Sequence, residues 1–180
     1  MKKFKVLSKE KLIESQYCPV ERHEVEFPDG GKGEWFVNTS ADAVIVVPIT
    51  TEGKVILQRS YKHGGGEEVV EFCAGIIDEG ETPEVAAARE LQEETGFKSE
   101  RFEKIGEVFA NPTGSSMKYH FFLARNCSQN GTQDLDPSEQ IEVFFAEDWA
   151  SAVELLTDSQ TTTSSATIAG IGFANRALSS

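Results

Sequence analysis

Cysteine is scarce and poorly placed for cross-linking. Cys18, Cys73 and Cys127 are the only three, far apart and without a Cys-x-x-Cys pair. That excludes a disulfide framework or a thiolate zinc site of ordinary spacing and favours a reducing compartment. Positive charge is also in short supply: 17 Lys and Arg stand against 30 Asp and Glu, a formal charge of −13. Nucleic-acid backbones and anionic lipid both demand clustered cations, so neither is an expected partner. An anionic small-molecule substrate would need something cationic between it and these carboxylates. Long apolar runs are missing too. The longest, residues 43–49, falls far below the roughly 20 residues of a membrane-spanning helix. Residues 1–5 are basic, but Glu10 and polar residues follow where an export signal has its apolar stretch. A cytoplasmic location is therefore expected, and the Asn-x-Ser/Thr triplets at Asn38, Asn126 and Asn130 read as chance matches. His23, His63 and His120 have no ligand spacing.

Hydrophobic residues at 39% suffice for a core. Residues 1–40 alternate in short patches around the turn Pro28-Asp29-Gly30-Gly31, which predicts an N-terminal β-rich segment. Residues 41–180 form the expected main domain. It opens with a buried strand over 43–49 and a turn at Thr51-Glu52-Gly53. A second strand runs from Val55 through Gln58 towards Arg59 and Tyr61, and a third lies at residues 69–72. Further strands are expected near 102–109, 117–124 and 141–146, and helices near 148–156 and 167–178. Strands with few helices predict an α/β fold with a mixed sheet.

The most informative segment is residues 75–97. Thr82 is a good N-cap, Pro83 suits the first helical position, and Gly96 suits the end. At about 100° per residue, Glu90, Glu93 and Glu94 gather on one face with small Ala86 one turn earlier. Ala87, Ala88, Leu91 and Thr95 fall opposite, free to pack on a sheet. Like charges at such spacing destabilise a helix unless something offsets them. Hard divalent cations take oxygen ligands and would do so. A solvated acidic face is the other reading of the helix alone.

The flanking residues decide between these readings. Gly75, Glu81, Arg89-Glu90-Leu91, Glu93-Glu94 and Gly96-Phe97 match the Nudix box at each of its defined positions, and the chain resembles Nudix hydrolases. The resemblance implies an α/β/α sandwich preceded by a small β-domain. It also implies hydrolysis of a diphosphate linked to another moiety, with Mg²⁺ or alternatively Mn²⁺. Glu90, Glu93 and Glu94 then take metal-ligand roles, with the Ala74 carbonyl as a further ligand. Glu93 and Arg89 count among the catalytic candidates, although Arg89 and Glu81 are expected to orient the loop and helix rather than do chemistry.

Three features are similar to the ADP-ribose pyrophosphatase branch. Arg59-Ser60-Tyr61-Lys62 and Glu71-Phe72-Cys73-Ala74-Gly75 stand where relatives read Arg-Gln-Tyr-Arg and Glu-Leu-Pro-Ala-Gly. Ser60, Lys62, Phe72 and Cys73 are the departures, and Lys62 lacks the guanidinium fork. Arg59 and Glu71 are candidate substrate-binding residues by that resemblance, or a strand-end ion pair. Pro112 lies 15 residues beyond Phe97, the spacing that marks this branch, in a segment that is also plain turn chemistry. By the same resemblance, a Glu on the acidic loop before residue 141 serves as catalytic base or as an extra metal ligand; Glu139 is the candidate and Glu142 the reserve, with a solvated loop charge as the other reading. The implied reaction converts ADP-ribose to AMP and ribose 5-phosphate. Another conjugate such as GDP-mannose, or a binding module without catalysis, are the alternatives. The N-terminal segment resembles the β-domain through which these enzymes dimerise, so a homodimer is expected. Trp35 and Phe36 either stack on adenine or pack at that interface.

Overall fold

In the computed structural model, which describes residues 1–179, the chain falls into two compact units. One comprises Met1–Asp42 with Val108–Lys118; the other comprises Ala43–Glu107 and the chain from Tyr119 onward.

The first unit is built on three antiparallel strands, β1 (Lys5–Ile13), β2 (Val20–Glu26) and β3 (Lys32–Asn38). The β2–β3 turn closes as expected at the Pro-Asp-Gly-Gly cluster, where Gly30 adopts φ +87° and Phe27 N–H donates to the Gly31 carbonyl at 2.7 Å. Only glycine adopts such a φ cheaply. The Trp35 ring meets Phe4 edge-on at 5.7 Å, and its Nε1–H donates to the Thr113 carbonyl. Asn38 N–H donates to the Gly114 carbonyl, so the 108–118 segment completes this unit through contacts remote in sequence.

The second unit holds the main sheet. Its strands are β4 (Ala43–Thr50), β5 (Val55–Lys62), β6 (Glu67–Glu71), β7 (Cys73–Ile76), β8 (Phe97–Lys98), β9 (Arg101–Phe109), β10 (Lys118–Gln129) and β11 (Ile141–Ala146). β4 and β10 run parallel, while the β4–β7, β5–β6, β5–β11 and β8–β10 pairs are antiparallel, making the sheet mixed. β4 and β5 share only the Ile49↔Val55 register. The sheet therefore opens into two wings, one of β6, β5 and β11, the other centred on β4 and β10.

Three helices, α1 (Pro83–Thr95), α2 (Trp149–Thr157) and α3 (Ser165–Leu178), accompany the sheet. Both faces of β4 are covered, which accounts for its near-continuous apolar sequence. Val44, Val46, Phe122 and Ala124 pack with Ala86, Ala87 and Leu91 of α1. Phe121, the strand neighbour of Phe122, faces the other way and meets Phe173 of α3 with ring centroids 5.0 Å apart. Leu91 is fully buried, and truncating it to Ala would cost about 2–5 kcal/mol. The polar stretch after α2 is a loop, as its composition predicts, yet it has a task. The Thr162 carbonyl accepts from Val70 N–H and Thr163 Oγ1 donates to the Val70 carbonyl, which satisfies the free edge of β6.

Candidate active site

The acidic helix begins and ends where its local chemistry dictates. Thr82 Oγ1 accepts from Val85 N–H, Pro83 occupies the first turn, and Gly96 at φ +74° closes the helix with its N–H on the Gln92 carbonyl. Its orientation differs from the sequence expectation in one respect. The buried residues are Ala86, Ala87, Glu90, Leu91, Glu94 and Thr95, whereas Ala88 is exposed. The helix thus turns two of its carboxylates inward, against β7, in place of the Ala88 methyl. Glycine in β7 permits this approach: a Cβ on Gly75 would overlap the Glu90 carboxylate.

The three carboxylates have different surroundings. Arg89 Nη1 donates to Glu90 Oε1 at 2.7 Å and to Glu93 Oε2 at 3.0 Å. Its Nε and Nη2 clasp Glu81 at 3.0 and 2.9 Å, and Nη2 also reaches the Ile76 carbonyl. Glu81 is held below the usual carboxylate range, chiefly by this arginine. Glu90 is pushed up by burial, against the pull of Arg89; the charges of Glu93 and Glu139 push in the same direction as burial. Glu94 is the most deeply buried of the three, 3% exposed, and burial raises its pKa to about 7. Its partners are neutral: Ala74 N–H at 2.9 Å, the Gln58 amide at 3.2 Å and the Cys73 thiol. The Cys73 thiol is pushed well up by burial and by Glu94.

Of the other candidates, Arg59 and Glu71 are not brought together. Glu71 stands opposite Gln58 in register and Arg59 opposite Val70, so the two side chains project to opposite faces of the β5–β6 pair. Glu71 is buried and takes Ser60 Oγ at 2.8 Å and Lys62 Nζ at 2.6 Å. Arg59 is exposed, pairs with Glu142 at 3.0 Å and lies over the Phe144 ring. With Tyr61, Glu68 and Gln140 it lines a cavity of about 280 Å³. Glu139 sits in a tight turn in which its carboxylate accepts from Asp136 N–H and its own N–H donates to the Asp136 carbonyl. Pro112 belongs to the first unit, in the turn where Gly114 and Ser115 N–H groups converge on the Asn111 carbonyl.

Three contributors escaped the sequence reading. Gln58 is a fully buried polar residue in an apolar strand, and that break in the run was the available signal. Gln133 donates Nε2 to the Glu94 carbonyl at 2.7 Å and to the Ile141 carbonyl at 3.2 Å, and Asp134 N–H caps the Glu93 carbonyl. These bonds tie the acidic loop to the end of α1; no local pattern announces them.

No three His, Cys, Asp or Glu side chains among the described residues already converge as a metal cage, and Arg89 stands between Glu90 and Glu93. The donor chemistry nonetheless suits a hard divalent cation. The donors are oxygens, one of them a buried carboxylate without a cationic partner among the described residues, beside a backbone stripped of its Cβ.

The mixed sheet flanked by helices is the fold of a known class of hydrolases. A NUDIX domain model matches residues 39–167, and the chain belongs to the Nudix hydrolase family, whose members generally use divalent metal ions. It is 31% identical over 141 residues to the ADP-ribose pyrophosphatase of Bacillus subtilis (strain 168), covering 78% of this chain and 76% of that protein. It is 28% identical over 141 residues to the methanol dehydrogenase activator of Bacillus methanolicus, with the same 78% and 76% coverage. The crystal structure of an ADP compounds hydrolase superposes with a TM-score of 0.86 at 25% identity, covering 99% of this chain and 96% of that one. Among the described residues, no helix is long and apolar enough to cross a membrane.

Proposed function

We propose that this enzyme hydrolyses the pyrophosphate bond of a nucleoside diphosphate sugar, foremost ADP-ribose, releasing AMP and ribose 5-phosphate. Glu90, Glu93, Glu94 and the Ala74 carbonyl would hold Mg²⁺, with Mn²⁺ as a substitute. When bound, the cation neutralises the pyrophosphate, polarises a phosphorus–oxygen bond and lowers the pKa of water. That supplies the positive charge which a −13 chain otherwise lacks for an anionic substrate.

The protein's own groups do the rest. Glu139 takes a proton from the attacking water. The water oxygen bonds to one phosphorus, the bridging oxygen leaves with the bond pair on the other phosphate, and Glu139 later releases its proton to solvent. Arg59 and Glu71 hold parts of the nucleotide, and Pro112 is a further substrate-binding candidate by the family resemblance alone. Arg89 and Glu81 keep the loop and helix in register, a positioning task. The inward Glu90, packed against the bare backbone of Gly75, and the inward Glu94, held by Ala74 N–H, carry this reading. A helix kept merely for solubility would turn those carboxylates outward.

The N-terminal sheet is the dimerisation element of a homodimer. All of β1 is exposed, including Val6, Leu7, Leu12 and Ile13, and monomers rarely leave so much apolar surface bare. Sedimentation of the full chain should give the mass of two copies.

The decisive experiment is phosphate release, coupled to a phosphatase, from a panel of nucleotide sugars at equal concentration with Mg²⁺. ADP-ribose should give the highest kcat/KM, and Glu93→Gln should abolish turnover. A panel that leaves ADP-ribose uncleaved, or a fully active E93Q enzyme, would overturn the reading.

A further inference from the structure

Gln58 lies in β5 between Leu57 and Arg59, 1% exposed, in a strand whose other inward positions are apolar or Ser60. Its Nε2 spends one N–H on Glu94 Oε2 at 3.2 Å and the other on the Phe72 carbonyl at 3.5 Å. Its Oε1 is buried without a hydrogen-bond partner among the described residues. Rotating the amide by half a turn would bring that oxygen against two acceptors, so the orientation is set by chemistry.

A buried carbonyl oxygen with no donor costs stability, and an unbranched apolar side chain would occupy the same space at no such cost. The unpaired oxygen offsets what the two N–H bonds contribute to the fold, and what the amide secures lies at Glu94. Both N–H donors that reach Glu94, from Gln58 and from Ala74, converge on Oε2. Among the described residues, Oε1 has no N–H donor. Glu90 and Glu93 share the Arg89 guanidinium, whereas Glu94 receives neutral donors alone. A neutral amide orients a carboxylate without cancelling its charge, which a Lys or Arg at position 58 would do.

We propose that Gln58 is a positioning residue that locks the Glu94 rotamer and presents Oε1 to the divalent cation. It acts from the sheet wing opposite the helix that carries the ligand. This rests on the assignment of Glu94 as a metal ligand and adds a residue outside the acidic motif. Outer-shell partners of this kind commonly change metal affinity by about 10- to 100-fold.

The test uses the full chain and Gln58→Met, which keeps length and volume and removes the amide, with Gln58→Leu as a second variant. Mn²⁺ binding is read from the electron paramagnetic resonance signal of free Mn²⁺, and the thermal midpoint is measured without metal. Both variants should remain folded without metal, with a cooperative melt, yet bind Mn²⁺ about tenfold more weakly. At saturating metal, kcat on ADP-ribose should fall while KM stays put. Unchanged Mn²⁺ affinity in the variants would overturn the role of Gln58 alone. Variants that do not fold would assign the amide to packing and equally overturn it. A wild-type protein that binds no Mn²⁺ would remove the metal assignment itself. One that binds Mn²⁺ but spares ADP-ribose would remove only the substrate and leave Gln58 its role.

Discussion

Arg89 grips Glu81 with two arms of its guanidinium, Nε to Oε1 at 3.0 Å and Nη2 to Oε2 at 2.9 Å. The remaining nitrogen holds Glu90 and Glu93. One planar cation thereby ties the loop after β7 to the helix that follows it. Lysine has the charge but not the geometry. Arg89→Lys should therefore cost about 2 kcal/mol, since charge-assisted bonds contribute roughly 1.5–3 kcal/mol each. Urea denaturation without metal checks this. A variant as stable as the wild type would show that the fork is not needed.

The contact between Gly75 and Glu90 yields a sharper prediction. A methyl group at position 75 would lie within the Glu90 carboxylate, so Gly75→Ala must drive that side chain out or shift β7. Activity should fall by at least 100-fold, while the far-ultraviolet circular dichroism spectrum stays that of the wild type. Gly64→Ala, at a position where a Cβ meets nothing, serves as the control and should be neutral. Retention of wild-type turnover by G75A would show that the close approach has no part in catalysis.

How far the sequence reveals such contacts depends on their range. The limits of α1 are local matters settled by Thr82, Pro83 and Gly96, and all three act as their residue types predict. The apolar run of β4 likewise declares a strand covered on both faces. The inward face of α1 was only half legible. Helical periodicity groups the glutamates but does not say whether they or Ala88 turn towards the sheet, because that depends on the space Gly75 leaves across the chain. Arg59 and Glu71 were separable in principle once the β5–β6 register was known, since side-chain direction alternates along a strand. The register itself comes from pairing. The Gln133 and Asp134 bonds to the end of α1, and the attachment of residues 108–118 to the first unit, join residues distant in sequence and leave no local pattern.

Burial of Glu94 makes the metal-free protein sensitive to pH. Its carboxyl titrates near 7 when folded, against 4.5 as the ordinary value. The folded pKa is raised, so the neutral form stabilises the fold fully below about pH 4.5, and this contribution is lost as pH rises through about 7. The difference of 2.5 pH units corresponds to roughly 3 kcal/mol at 1.36 kcal/mol per unit. Glu94→Gln, permanently neutral, should flatten the fall in stability between pH 5 and about 8. Metal has the opposite dependence, because its ligand must be ionised. Cation binding should therefore strengthen through the same window and release a proton. Urea melts at several pH values, with and without Mg²⁺, test both signs. A Glu94→Gln protein with the wild-type pH profile would show that another group is responsible.

Two glutamates three residues apart, Glu139 and Glu142, compete for the proposed role of base. Glu142 lies in β11 opposite Arg59, is paired with it at 3.0 Å, and shares its exposed face of the sheet. The next residue along, Val143, packs against the core that contains α1, so strand alternation turns Glu142 away from the acidic helix. Glu139 precedes the strand, in a loop tied to the end of α1 through Gln133 and Asp134. Glu139→Gln should therefore lower kcat by about 10²–10⁴-fold, the usual range for losing a general base, with KM and Mn²⁺ affinity little changed. Glu142→Gln breaks an exposed ion pair of about 0–1 kcal/mol and should leave kcat within a factor of about three. Steady-state kinetics on ADP-ribose with saturating Mg²⁺, with Mn²⁺ binding measured in parallel, separates the two. A larger kcat loss from Glu142→Gln than from Glu139→Gln would transfer the role to β11. Equal, small losses from both would place the proton acceptor among the glutamates of α1.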